Sequence, residues 1–400
     1  MALKRVNFAT AHDASTFTSA RWNFQPVPDG FGGSTIQLVE IPPGNPRFAH
    51  NPATGEAEGL LIEEERTNLV TWSSDFTNAN WTKTGVDVNT LSGESILVES
   101  DAFDFIPTAV SGAHTVAQSA KSVSLGSNCQ LWVIAKSKGY TKFGIRDAST
   151  GVSQFIDLAA PSASMVDLGG GRYACRLNIS SSVSTVTPQI IMLEPAATSI
   201  TFNAWIGDGT SGIEFHFAQL EVGAQPTSPI ITEGTTVTRT ADIPAFSTGA
   251  WFNPAEGTFY IEVEDLDDIT KNLGLLTNKW VGGAENNRGF GIIRFVTSVS
   301  FGVRDDDSFE SVNVVNTASK YKIIASWNSS TLLLSVNGVT ETIPLTKNMT
   351  DFFDDGFFTI LGNRYINGLV TRNNPNNLIK KLNYTPRFTN EAEANQKTGS

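Results

Sequence analysis

Almost no segment of this chain carries a helical hydrophobic period. Short alternating runs recur instead, each closed by Gly, Asn, Asp or Pro. "CQLWVIAK", "RYACRLNI", "TPQIIML", "IEFHFAQLEV", "GTFYIEVE", "YKIIASW", "TLLLSVNG" and "FFTILGN" are of this kind. A period of two sends alternate side chains to opposite faces, so each run can bury one face. Strands at this density, joined by short turns, predict sandwiches. In "IEFHFAQLEV" the period sets Phe215 and Phe217 on one face, with Glu214 and His216 on the other. "YKIIASWNSSTLLLSVNGV" reads as a hairpin closed by Asn328, Ser329 and Ser330, and Asn337-Gly338 is a second, two-residue turn signal. One helix is predicted at "TNEAEANQK", capped by Thr389, with Glu391 and Glu393 favouring its start.

The predicted fold class is all-β: an extended N-terminal arm followed by two β-sandwich (jelly-roll) domains. Residues 1–66, rich in Pro and Gly ("VPDGFGGST", "IPPGNP"), form the arm or attachment segment. Residues 67–243 form the first sandwich and residues 244–400 the second, joined by the Thr-rich "TEGTTVTRTADIPAFSTG". Deleting the arm is expected to leave two folded sandwiches.

Only 17% of the 400 residues are charged, so the polar surface is drawn from Ser, Thr, Asn and Gly. The net charge of −12 argues against nucleic acid, whose binding is driven by cations at phosphates. The start, "MALKRVNFATAHDAS", has no apolar signal-peptide core, and no apolar run approaches a membrane span; no membrane insertion is expected. Cys129 and Cys175 sit in strand-like runs and read as buried free thiols. Two Cys and four scattered His make no zinc set.

The acidic stretches invite a catalytic reading. "NPRFAHNPATGEAEGLLIEEERTNL" brings Glu58, Glu63, Glu64 and Glu65 around Leu60-Leu61-Ile62. Glycosidases hold two carboxylates a fixed distance apart on a rigid frame, whereas consecutive glutamates on a strand diverge. The expectation is that Leu60, Leu61 and Ile62 dock on the first sandwich while the acids face solvent or pair with Arg66. "IEVEDLDDI" and "RDDDSFE" read as solvated strand ends and loops. No G-x-S-x-G elbow, P-loop or dinucleotide fingerprint occurs. His12, His50 and His114 are read as surface residues. No catalytic residue is assigned, and the chain is expected not to be an enzyme. In "GDGTSG" the glycines supply positive φ and Asp208 closes an Asx-turn.

"NPRFAHNPATGEAEGLLIEEERTNLV" and "TWSSDFTNANWTKTGV" resemble bacteriophage virion appendage proteins of the tail-fibre and head-spike fibre kind, in which an Asn- and Trp-rich strand opens a carbohydrate-binding-module-like jelly roll. "GDGTSGIEFHFAQLEVGAQPTSPIITEGTTVTRTADI" resembles the end of that jelly roll. "GTFYIEVE", "YKIIASWNSSTLLLSVNG", "FTILGNR" and "GLVTRNNPNNLIKKLNYTPRFTNEAEA" are similar to concanavalin A-like (laminin G-like) lectin modules. The resemblance implies a virion protein made in a bacterial host cytoplasm. It implies a homo-oligomer, trimer favoured, that meets other virion proteins and adheres to a bacterial surface polysaccharide. No cofactor is implied beyond a structural calcium, for which Asp208 is the candidate ligand. A purely structural capsid or tail decoration or connector remains open. So does a glycan depolymerase. Some concanavalin-like glucanases carry E-x-D-x-x-E on a strand, but here Glu264 stands where that pattern has Asp.

Sugars present apolar C–H faces, so a glycan site needs an exposed aromatic beside amide and guanidinium donors. Trp280, Asn286 and Arg288 in "TNKWVGGAENNRGF", with Asn363, Arg364 and Tyr365 in "GNRYINGLVTRNNPNN", are the expected carbohydrate-binding rim.

Overall fold

The computed structural model describes residues 4–5, 21–28, 34–42, 45–51, 55–97, 100–242, 245–265, 273–278, 289–305, 308–353, 357–360, 363–364, 370–371 and 377–399. It is all-β, with two sandwiches. The first packs a five-stranded sheet, ordered Ser153–Asp157, Lys142–Asp147, Pro188–Met192, Thr115–Ala117 and Thr82–Thr84, against a six-stranded one. The six-stranded order is Met165–Asp167, Arg172–Ser180, Asn128–Lys138, Gly212–Val222, Ala102–Pro107 and Val86–Leu91. The core between them holds Phe76, Trp81, Phe105, Phe143 and Phe215. Cys129 and Cys175 are buried free thiols, and burial pushes Cys129 up to about 11.

The second sandwich faces a six-stranded sheet toward an eight-stranded one around Phe259, Phe290, Trp327, Phe358 and Tyr384. The hairpin Lys320–Trp327/Thr331–Val336 is present, with Asn328 Oδ1 accepting the Ser330 amide at 2.9 Å. Asn337 and Gly338 both take positive φ (48° and 87°), the two-residue turn expected of Asn-Gly.

The apolar run of the arm does not dock on the first sandwich. Ala57–Ile62 pairs with Asn377–Thr385 and so extends the eight-stranded sheet of the second sandwich, and Phe48–His50 pairs outside it in turn. Lys4–Arg5 pairs with the same strand at Tyr384 and Asn383. Leu60 and Ile62 lie in the second core. Burying such side chains is worth about 1.5–3 kcal/mol each. The physical reason is that Asn377–Thr385 offers a row of unpaired backbone groups that a strand can satisfy. Sequence proximity to the first sandwich gives no hint of this long-range pairing.

Glu58 is exposed as expected, but Glu63 is buried. Arg47, fully buried, reaches Glu63 at 2.7 Å and Asp242 at 2.8 Å, and donates to Ser228 Oγ at 2.8 Å. Arg239 reaches Glu63 at 3.0 Å, and the Ser228 amide donates to Glu63 Oε1 at 2.7 Å. Glu64 pairs with Arg66, which also lies 3.6 Å from Glu221. Arg66–Asn68 and Val237–Arg239 pair antiparallel, and the Asp242 amide donates to the Glu63 carbonyl at 2.8 Å. The first sandwich is thus a loop of chain whose two ends are zipped together beside the second.

Two smaller expectations also shift. The helix, Glu391–Thr398, is capped by Asn390, whose side chain accepts the Glu393 amide at 3.0 Å; Thr389 is buried instead, its amide donating to Ser326 Oγ. A register shift opposite Ile134/Ala135 breaks the alternation at His216. Phe215 therefore stays in the core, while Phe217 packs with Trp132 on the outer side of the sheet.

Two outcomes follow. Removing residues 1–44 should leave the melting temperature of the second sandwich within a few degrees. Removing residues 1–64 should unfold it, because Phe48–His50, Ala57–Ile62 and the Arg47–Glu63 pair go as well; calorimetry distinguishes the two. Burial alone would raise the Glu63 pKa, but Arg239, Arg47 and the Ser228 amide bring it down to about 2, from 4.5. A depressed carboxyl stabilises the fold above its unfolded pKa and ceases to as pH falls through its folded one. Wild type should lose on the order of 3 kcal/mol between pH 4.5 and 2 through this group. Glu63→Gln should start less stable by about 3–5 kcal/mol and lack that slope in acid denaturant titrations.

Candidate glycan platform on the first sandwich

Strand Lys142–Asp147 buries Phe143 and Ile145 in the core, which turns Gly144 and Arg146 to the opposite, outer face. The ladders extend those two positions into rows. Gly144 is level with Phe155 and Ile191, and Ile191 with Thr115. Arg146 is level with Ser153 and Gln189, Gln189 with Ala117, and Ala117 with Thr82.

The two rows have different fates. Residues 193–200 fold back over the first, where Leu193 and Ala197 cluster with Ile191, Phe155 and Ile200. Gly144 leaves room for that packing: a Cβ there would lie 2.7 Å from Ile200 Cδ1 and force that side chain to shift. The second row stays open: Ser153 and Thr82 are exposed, and Ala117, Arg146 and Gln189 half-buried. At its centre Arg146 Nη1 donates to Gln189 Oε1 at 3.0 Å.

Phe202 stands beside this row. Its ring is 50% exposed, and the Arg146 guanidinium carbon lies 4.4 Å from the ring centroid. The segment carrying it is anchored at both ends. On one side are Ala197 and Ile200. On the other, Trp205 pairs its backbone with Gly112 and packs its ring 4.6 Å from His114 and 5.7 Å from Tyr140. His114 is buried, not a surface residue: its ring nitrogens face the carbonyls of Gly85 and Trp205. The arrangement is an exposed aromatic, a positioned guanidinium, an amide and small hydroxyl residues in one line. It can stack on a sugar ring and donate to its oxygens.

Of the expected rim, Trp280, Asn286, Arg288 and Tyr365 lie outside the described residues. Asn363 and Arg364 form a short strand paired with Val370–Thr371, their side chains being outside the description. Asp208 makes the Asx-turn: its Oδ1 accepts the amides of Thr210 at 2.8 Å and Ser211 at 2.7 Å. Hydrogen bonds from Ser211 and Thr210 hold this exposed carboxyl below the usual range. Among the described residues no three His, Cys, Asp or Glu side chains cluster as a metal set would.

Other polar groups are already occupied. Burial pulls Glu264 upward, but hydrogen bonds and charges from Lys380 and Lys320 outweigh it and keep the carboxyl ionised. Glu262 accepts from the Tyr260 hydroxyl and lies 3.6 Å from Lys381. His216 Nδ1 accepts the Ile96 amide at 3.3 Å, which leaves the proton on Nε2, 3.0 Å from Glu214. Burial lowers the His216 pKa. An open groove of 520 Å³ runs past Arg66, Thr67, Ser122 and Val222, but Arg66 is committed to Glu64 and Glu221.

Arg146, Gln189 and Phe202 were missed from the sequence. The alternation in "KFGIRD" places Arg146 outward, yet nothing local reveals that Phe202, over fifty residues later, returns to cover it.

No protein-family model matches the chain, and no curated protein does. The chain is similar to the CBM40 module of Ruminococcus gnavus IT-sialidase at 15% identity, over 37% of this chain and 84% of that one, with a TM-score of 0.31. It is similar to the tandem CBM22 domains of Paenibacillus barcinonensis Xyn10C at 10% identity, over 80% of this chain and 97% of that one, with a TM-score of 0.24. It is similar to domains LG4-5 of the mouse laminin α1 chain at 12% identity, over 81% and 94%, with a TM-score of 0.26.

The two rows make opposite demands on substitution. Gly144→Val should destabilise by about 1–3 kcal/mol by driving into Ile200. Ser153→Ala, in the open row, should change stability by less than about 0.5 kcal/mol. Chemical denaturation of the two variants checks this.

Proposed function

We propose that this chain is a non-catalytic glycan-binding protein that adheres through the open row of the five-stranded sheet. The observation that carries this reading is Phe202, half-exposed and held against Arg146, whose guanidinium donates to Gln189 on a polar strip. Isolated exposed aromatics are common, but this one is pinned on a clamped segment beside unspent donors. The acids at Glu262 and Glu264 favour binding over hydrolysis, since both are already occupied, Glu264 by two lysines and Glu262 by the Tyr260 hydroxyl.

Within that reading the chain serves as a bacteriophage appendage, a fibre or spike on the virion, contacting other virion proteins and a bacterial surface polysaccharide. The support is the resemblance of residues 45–243 to such appendages. A homo-oligomer, trimer favoured, belongs to the same reading: a few stacked contacts per chain bind weakly, and multivalency multiplies them.

An array of bacterial glycans, followed by a reducing-end assay on each hit, tests the function. Binding without release of reducing ends is expected, with Phe202→Ala lowering affinity at least about tenfold at an unchanged melting temperature. Release of reducing ends would contradict the non-catalytic role. Binding unaffected by Phe202→Ala would move the site elsewhere. Light scattering should return a multiple of 43.0 kDa; a monomer at micromolar concentration would contradict the oligomer.

A further inference from the structure

We infer that the glycan bound on this strip carries a carboxylate, as a uronic or nonulosonic acid does; the inference rests on the glycan-binding reading above. It begins with the charge of Arg146. Three buried arginines, Arg47, Arg66 and Arg239, are matched to carboxylates. Arg146 has an uncharged amide, Gln189, as its hydrogen-bond partner, and it makes none of the ion pairs found among the described residues. Its neighbour Asp147 gives no compensation. That carboxylate is fully buried and accepts from the Ser149 and Thr187 amides and the Thr150 hydroxyl.

The geometry of the guanidinium is also incomplete. Nη1 is used by Gln189, while Nε is shielded from solvent with no acceptor. Phe202 lies against one side of the group, the ring centroid 4.4 Å from the guanidinium carbon. Nη2 has no hydrogen-bond partner among the described residues, and it is the donor that a ligand carboxylate can meet with a charge-assisted hydrogen bond. A neutral sugar hydroxyl can accept from Nη2 but leaves the charge uncompensated.

The net charge of −12 does not forbid an acidic ligand. At physiological salt, charges beyond about 8 Å are largely screened, so the local cation decides.

The experiment pairs each array hit with its carboxyl-reduced derivative, in which the acid becomes a primary alcohol on the same backbone. Expected: hits bear carboxylates, and reduction weakens binding at least tenfold. Arg146→Gln should weaken binding of the acidic form to the level of the reduced form while leaving the reduced form unchanged. Arg146→Lys, which keeps the charge without the fork, should fall between. Equal binding of acidic and reduced forms, or hits confined to neutral glycans, would overturn the carboxylate and leave the glycan platform standing. No binding to any glycan on the array would overturn both. Melting curves of the Arg146 variants, expected to superimpose on wild type, separate lost recognition from lost fold.

Discussion

Arg47 is a cation with no access to water, and the two sandwiches meet around it. An unpaired guanidinium in that position would cost several kcal/mol, so its neighbours are constrained: Glu63 and Asp242 must lie within reach. Those partners come from the chain just before the first sandwich and just after it. The cluster therefore fixes where the first sandwich begins and ends, and the paired strands Arg66–Asn68 and Val237–Arg239 continue the same closure. A domain held by two zipped strands has less freedom than one on a single linker. The acids that look like catalytic machinery in the sequence are the fastening of this joint.

The same logic separates structural from available charge. Glu63, Glu64, Glu221, Asp242 and the arginines facing them are committed to one another, and Glu264 is committed to two lysines. Arg146 is different: half-buried, it is positioned by an amide and an aromatic ring, not by an acid. A polar strip with a displayed ring and unspent donors is suited to binding from outside. Its rigidity follows from the covered row beside it, where Ile200 over Gly144 anchors the segment that carries Phe202.

Much of the fold was legible because its signals are local. Alternation identified strands such as Gly257–Asp265 and Lys320–Trp327, and Asn337-Gly338 identified its turn. What failed to show was non-local. Leu60 and Ile62 join a strand more than three hundred residues away, and the apolar run alone cannot say which sheet will take it. A single bulge at His216 reversed the facing of Phe217, because a period of two has no memory across an inserted residue. The glycan platform was hidden for both reasons: it needs the ladder register across five strands and the return of a later loop.

The central claim is that sugar is held on the open row of the five-stranded sheet. The most direct measurement is backbone amide NMR of the isotope-labelled protein titrated with a glycan that it binds. Saturable shifts are predicted at Thr82, Ala117, Arg146, Ser153, Gln189 and Phe202, with Ile191 and Ala197 in the covered row little changed. Shifts confined to the second sandwich, with none along this row, would contradict it.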